Sequence, residues 1–261
     1  GLKLYGRRGA VRYGALSAMT GAEGGAPARL FNVARARYDW GKGSSVGVMV
    51  VERSPLWSEG SPKGGEAPEG EHLGVGLDAR ARLLDARLEL TGFYALTFNE
   101  HSAEGALGSS AGATASWRGL RVRPSLSLEW VEGRFDPVMG FVYRDDYAQS
   151  DASLAYVRYS PTPTLRYLNL SATLSQTLNA HLTQDLGQAG ELTAQACHLS
   201  NWCLVSALRG ERDVVSRPFE LAGVWVQPKA YPTWQGRLSL STPSGRRFGG
   251  SASHTYQSGY F

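Results

Sequence analysis

The 261 residues leave room for one large β domain or two ordinary ones, and no composition shift marks a boundary within them. A formal charge of +4 is small for this length, and the basic residues recur along the chain without clustering into a tail, so nucleic-acid binding has no support. No run approaches the roughly 18 apolar residues of a transmembrane helix, while 32 glycines, 12 tyrosines and 7 tryptophans suit a turn-rich β protein.

From the N-terminus onward the strand candidates come in pairs. Residues 2–6 and 10–21 flank a Gly-Arg-Arg-Gly turn, and residues 29–40 and 45–54 flank Gly-Lys-Gly-Ser. Residues 73–83 and 87–98 meet at Leu84 and Asp85, residues 108–117 and 120–130 at Arg118 and Gly119. Residues 152–160 and 165–176 flank Pro-Thr-Pro-Thr, residues 191–200 and 202–211 turn at Ser200 and Asn201, and residues 234–242 and 246–256 turn at Pro-Ser-Gly. This predicts about fourteen strands in up-and-down order, with Gly, Pro, Asn and Asp where tight turns need them. The other connections, residues 22–28, 55–72, 99–106, 132–150 and 212–232, are longer and all fall at the opposite end. Alternation of short and long connections is expected of a membrane barrel with two unlike rims.

The side chains alternate as the connections do. Leu120, Val122, Pro124, Leu126, Leu128 and Trp130 share one parity, with Arg121, Arg123, Ser125, Ser127 and Glu129 on the other. Leu168, Leu170, Ala172 and Leu174 are likewise set against Asn169, Ser171, Thr173 and Ser175. Successive strand side chains point to opposite faces, so each strand meets an apolar medium on one side and a polar one on the other. The fold expected is therefore all-β: an antiparallel up-and-down transmembrane β-barrel, one domain over residues 1–261. Near its end the parity of Phe261 holds Gly259, Gln257 and Thr255, so Tyr260 and Phe261 read as an internal rim with further strands beyond them.

The same parity lines a lumen with Arg35, Arg37, Arg80, Arg82, Arg121, Arg123 and Glu129, joined by Asp39, Asp78, Arg87 and Glu89. Two readings stand: charges that pair with one another in a packed or wet interior, or an electropositive channel for small anionic or hydroxyl-rich solutes. Cys197 and Cys203, separated by His-Leu-Ser-Asn-Trp, fall opposite one another at a hairpin end, which suits a disulfide and an oxidising compartment; the alternative is two reduced thiols on one face. His198 beside Cys197 does not make a zinc site. Glu129, Glu132, Asp136, Asp145 and Asp146 are the one dense acidic group, but no acid/base, nucleophile-elbow, zincin or phosphate-loop motif accompanies them. Neither a cofactor nor a metal is indicated.

The segment Phe-Asp-Pro-Val-Met-Gly-Phe-Val-Tyr-Arg-Asp-Asp-Tyr, residues 135–147, resembles a motif of a bacterial outer-membrane β-barrel domain family of unassigned function. In that family the barrel follows a module similar to carbohydrate-binding family nine. Residues 3–21 resemble the family's opening hairpin, and residues 217–261 its closing segment, so the likeness runs nearly end to end. Phe135, Pro137, Gly140, Phe141, Arg144, Asp146 and Tyr147 match the loop motif, whereas Arg217 and Ala230 depart from the family's acidic residue and glycine. The resemblance implies an outer-membrane location, lipid as the surrounding medium, and a carbohydrate-binding module as neighbour. Read physically, Pro137 and Gly140 set a turn, Phe135 and Phe141 anchor the loop to the rim, and Arg144 with Asp146 form a charged clasp. The functions in view are a passive channel or surface anchor, a plugged structural envelope barrel, and a soluble glycan-binding or glycan-cleaving β domain.

Overall fold

The computed structural model describes residues 1–21, 28–56, 71–99, 107–137, 144–215, 218–221, 224–242 and 249–259. The chain is all-β. In order the strands are β1 (Leu2–Arg8), β2 (Val11–Thr20), β3 (Arg29–Trp40), β4 (Ser44–Pro55), β5 (His72–Leu83), β6 (Leu88–Asn99), β7 (Leu107–Trp117), β8 (Val122–Val131), β9 (Tyr147–Tyr159), β10 (Leu165–Asn179), β11 (Asp185–His198), β12 (Cys203–Val214), β13 (Phe219–Leu221), β14 (Val224–Val226), β15 (Ala230–Ser241) and β16 (Ser251–Ser258). Fourteen of them form one antiparallel up-and-down sheet in which each strand pairs with its chain neighbour, β12 passing to β15; β13 and β14 make a separate small hairpin. The sheet is not closed into a barrel, and no ladder joins β1 to β16 among the described residues.

By packing the chain divides into two compact units. Gly1–Thr114 with Glu129–Tyr147 form unit 1; Ala115–Leu128 with Ala148–Phe261 form unit 2.

Several expectations are corrected. The connection between β5 and β6 is not two residues but four, Leu84–Arg87, with Leu84, Asp85 and Ala86 all at positive φ. A two-residue turn at Leu84 and Asp85 would set Arg82 opposite Arg87; the longer one sets Leu83 opposite Leu88 and Arg82 opposite Glu89, exchanging like charges for opposite ones at the cost of left-handed backbone. Arg87 consequently leaves the polar ladder. Arg121 also falls outside its expected strand: it lies in the connection before β8, where its carbonyl accepts from the Val157 amide at 2.7 Å. Nor do connection lengths alternate strictly. Residues 180–184, at the end of the long connections, are five; Asn179 caps that turn, its Oδ1 accepting from the Thr183 and Gln184 amides. The Pro-Ser-Gly turn and the pair Tyr260 and Phe261 lie outside the described residues. The hairpin of β13 and β14 sits in what reads from sequence as a plain connection.

Candidate functional site: a polar face and its strap

In unit 1 the strand registers fix which side chains share a face. Arg12 pairs with Arg37, Arg37 with Gly47, Gly47 with Asp78 and Asp78 with Phe93, while Arg35 pairs with Met49 and Ser45 with Arg80. Arg35, Arg37, Asp39, Asp78, Arg80, Arg82 and Glu89 therefore lie on one polar face. The opposite face carries Ala34, Ala36, Tyr38 and Trp40 of β3, Val46, Val48 and Val50 of β4, and Leu73, Val75, Leu77 and Leu83 of β5.

Burial inverts the usual arrangement. Leu77 of the apolar face is 52% exposed, whereas on the polar face Glu89 is 9% exposed and His72 and Ser45 1% each. Water-soluble proteins enclose the apolar face of a half-buried sheet and solvate the polar one. Here large apolar side chains stand outward over a continuous area, beyond the scattered exposure that needs no explanation.

Charges of this face pair with one another. Arg35 Nη2 meets Asp78 Oδ1 at 2.5 Å, Arg80 Nη2 meets Glu89 Oε1 at 2.5 Å, and Arg82 Nε meets Glu89 Oε2 at 3.1 Å. Asp39 takes Arg12 Nε at 2.6 Å and Arg37 Nε at 2.8 Å. Five guanidinium groups thus share three carboxylates.

Unit 2 repeats the faces with different chemistry. Leu170, Ala172 and Leu174 of β10 lie beside Ala194, Leu192 and Gly190 of β11, and these beside Ser206, Leu208 and Gly210 of β12. Leu174 is 67% and Leu192 60% exposed. The other face bears Asn169, Ser171, Thr173 and Ser175 against Gln195, Thr193, Glu191 and Ala189, with the Thr193 hydroxyl donating to Glu191 at 3.0 Å. On this polar face Cys197 lies opposite Cys203, Cα atoms 4.1 Å apart, and a disulfide joins them. The neighbouring pair His198 and Trp202 carries a backbone hydrogen bond of 2.9 Å, so the cysteines occupy the close, non-hydrogen-bonded position where a bridge fits.

Polar networks border the apolar face at the long-connection end. The Glu52 carboxylate accepts from Asn32 Nδ2 at 3.2 Å and Ser54 Oγ at 2.9 Å. Glu132 accepts from Ser109 Oγ at 2.8 Å and is paired with Arg134. That guanidinium holds the Glu132 carboxyl below its ordinary range, desolvation opposing and the Ser109 bond assisting. In unit 2 Asp185 accepts from Gln176 Nε2 at 2.9 Å and pairs with Arg212.

The sequence motif around residue 135 is only partly described. Gly140 and Phe141 lie outside the described residues. Phe135 follows a tight turn, its amide donating to the Glu132 carbonyl at 2.9 Å, and Pro137 ends the described stretch. No ion pair joins Arg144 to Asp146 among the described residues, so the expected clasp is not formed; Asp146 instead takes positive φ and its Cβ faces Gly133. Tyr147, the first residue of β9, lies beside the Glu129 carboxylate. Arg123 folds back to the Gly119 carbonyl at 3.2 Å.

What sequence reasoning missed is the route of residues 132–137. The Asp136 amide donates to Thr97 Oγ1 at 3.2 Å, and Asp136 Oδ2 lies 3.5 Å from Asn99 Nδ2 and 3.6 Å from His72 Nε2. Thr97, Asn99 and His72 all belong to the polar face. His72 and Asp136 are far apart in sequence, and no spacing announces them. Among the described residues no group of three or more His, Cys, Asp or Glu side chains is placed to hold a metal ion. No family model matches the chain, and neither the curated proteins nor the solved structures contain a significant match.

Proposed function

We propose that this chain spans a bacterial outer membrane as a β-barrel, its apolar face in lipid and its polar face inward, serving as a passive channel or as a surface anchor for a carbohydrate-binding module. The observation that carries this reading is the inversion of burial in unit 1, with exposed leucines on one face and enclosed polar groups on the other, together with the exposed leucines of unit 2. Dimensions agree. Leu73 to Leu83 cover about 33 Å along β5 at roughly 3.3 Å per residue, and a strand tilted by about 40° would rise about 25 Å, the height of an outer-membrane apolar band. Tyr38 and Trp40, stacked 6.2 Å apart near the short-turn end, and Phe98 near the other have the aromatic character of membrane interfaces. The polar networks at Glu52, Glu132 and Asp185 lie where the band would give way to headgroups. The likeness of residues 135–147 to an outer-membrane barrel family points the same way.

The pairing of Arg35, Arg80, Arg82 and Arg37 with carboxylates favours a self-compensated interior over a row of free anion sites. Any anion preference would therefore be modest and would fade with salt. To test the reading, Leu77→Cys and Leu170→Cys are spin-labelled in reconstituted protein. Greater accessibility to oxygen than to a polar nickel reagent is expected at both positions. A detergent-free soluble monomer with both labels shielded from oxygen would overturn it.

A further inference from the structure

The geometry points to a second role for residues 132–137: an inward-folded strap that narrows the passage along the polar face of unit 1. This inference rests on the membrane-spanning reading for its function, though not for its placement. The strap does not run outward from the end of β8. Gly112 identifies the polar parity of β7, because a Cβ there would strike the Phe93 ring, and Gly108 shares that parity. At Gly108 a Cβ would overlap the backbone of Arg134 and Phe135, so the strap lies directly on the polar face, and only glycine allows so close an approach. Two further contacts hold it there, the Asp136 amide on Thr97 and the Asp136 carboxylate beside Asn99.

Beneath the strap His72 is enclosed to 1% exposure with neither ring nitrogen hydrogen-bonded, while the Asp136 carboxylate above it stays 62% exposed. The strap thereby sets a carboxylate beside His72 and Asn99 at the long-connection end of the polar face, eight residues along β5 from Arg80. Small hydrophilic solutes would meet this carboxylate, which disfavours anions at the narrowest point even though arginines outnumber carboxylates on the wall.

Crosslinking and conductance separate placement from role. Thr97→Cys combined with Asp136→Cys should form a new disulfide on mild oxidation, detected by intact mass beside the existing Cys197–Cys203 bridge. In planar bilayers Asp136→Asn with Thr97→Val, and independently Gly108→Leu, should raise conductance about threefold or more by releasing the strap. The oxidised double-cysteine variant should conduct no better than wild type. Failure to crosslink overturns the placement. Crosslinking with wild-type conductance in both release variants shows that the strap is not the constriction. Crosslinking in a protein that refuses to enter bilayers removes the membrane reading and the passage with it, and leaves the fold of the strap standing.

Discussion

The polar faces of the two units solve one problem by different means. Unit 1 sets charge against charge, with Glu89 shared between Arg80 and Arg82 and Asp39 between Arg12 and Arg37. Unit 2 carries mostly neutral hydroxyls and amides on this face of β10, among them Asn169, Ser171, Thr173 and Ser175, and adds a covalent tie between Cys197 and Cys203. The apolar faces hardly differ. A residue of the polar face depends on its local partners: a charge needs its opposite within reach, and a hydroxyl tolerates many neighbours.

The apolar faces offer the sharpest test of that equivalence. Leu170→Arg in unit 2 and Leu77→Arg in unit 1 should each cost about 2–4 kcal/mol if both leucines sit near mid-membrane. Unfolding titrations in lipid vesicles measure this, and a cost at only one position would break the likeness between the faces. Removing the covalent tie comes next. Cys197→Ser with Cys203→Ser closes no loop in the unfolded chain and should lower stability by about 2 kcal/mol, readable from the denaturant midpoint.

Interior substitutions should separate the units. Glu89→Ala leaves Arg80 and Arg82 without their shared carboxylate and should cost about 1–3 kcal/mol, reduced by the partial exposure of both guanidinium groups. Ser171→Val in unit 2 should remain within about 1 kcal/mol, since no charge loses a partner. Comparable losses at both sites would erase the distinction. The smallest expected effect concerns pH. Glu132 is held below its ordinary pKa of 4.5, mainly by Arg134, so its contribution is fully present above that value and is lost as pH falls through the folded-state value. Amide exchange around Glu132 and Arg134 should accelerate in that acid range, and Arg134→Ala should move the onset to higher pH.

Much of this was legible in the amino-acid sequence because the period of two writes both faces into one strand. The split of Leu170 from Ser171 and of Arg80 from Leu77 needed only parity. Turn lengths were less legible. Leu84 and Asp85 have the look of a tight turn, and only the gain from setting Arg82 opposite Glu89 explains why three non-glycine residues accept left-handed backbone. The strap was least legible. Its contacts join β5 and β6 to a segment some forty to sixty residues later and β7 to one under thirty residues later, and Gly108 is one glycine among 32 until its neighbour is known.

The up-and-down strand order also governs how the chain finds its fold. Every ladder of the main sheet joins consecutive strands apart from the step from β12 to β15, so closing most pairings costs the entropy of a short loop, which grows only slowly with its length. Assembly can then proceed hairpin by hairpin, each strand templating the next, with low demands on distant encounters. At the step from β12 to β15 the chain shortens its own search: β13 folds back on β14, and the Val215 amide reaches the Lys229 carbonyl at 3.0 Å. That small side hairpin draws in the connection that carries the chain from β12 to β15.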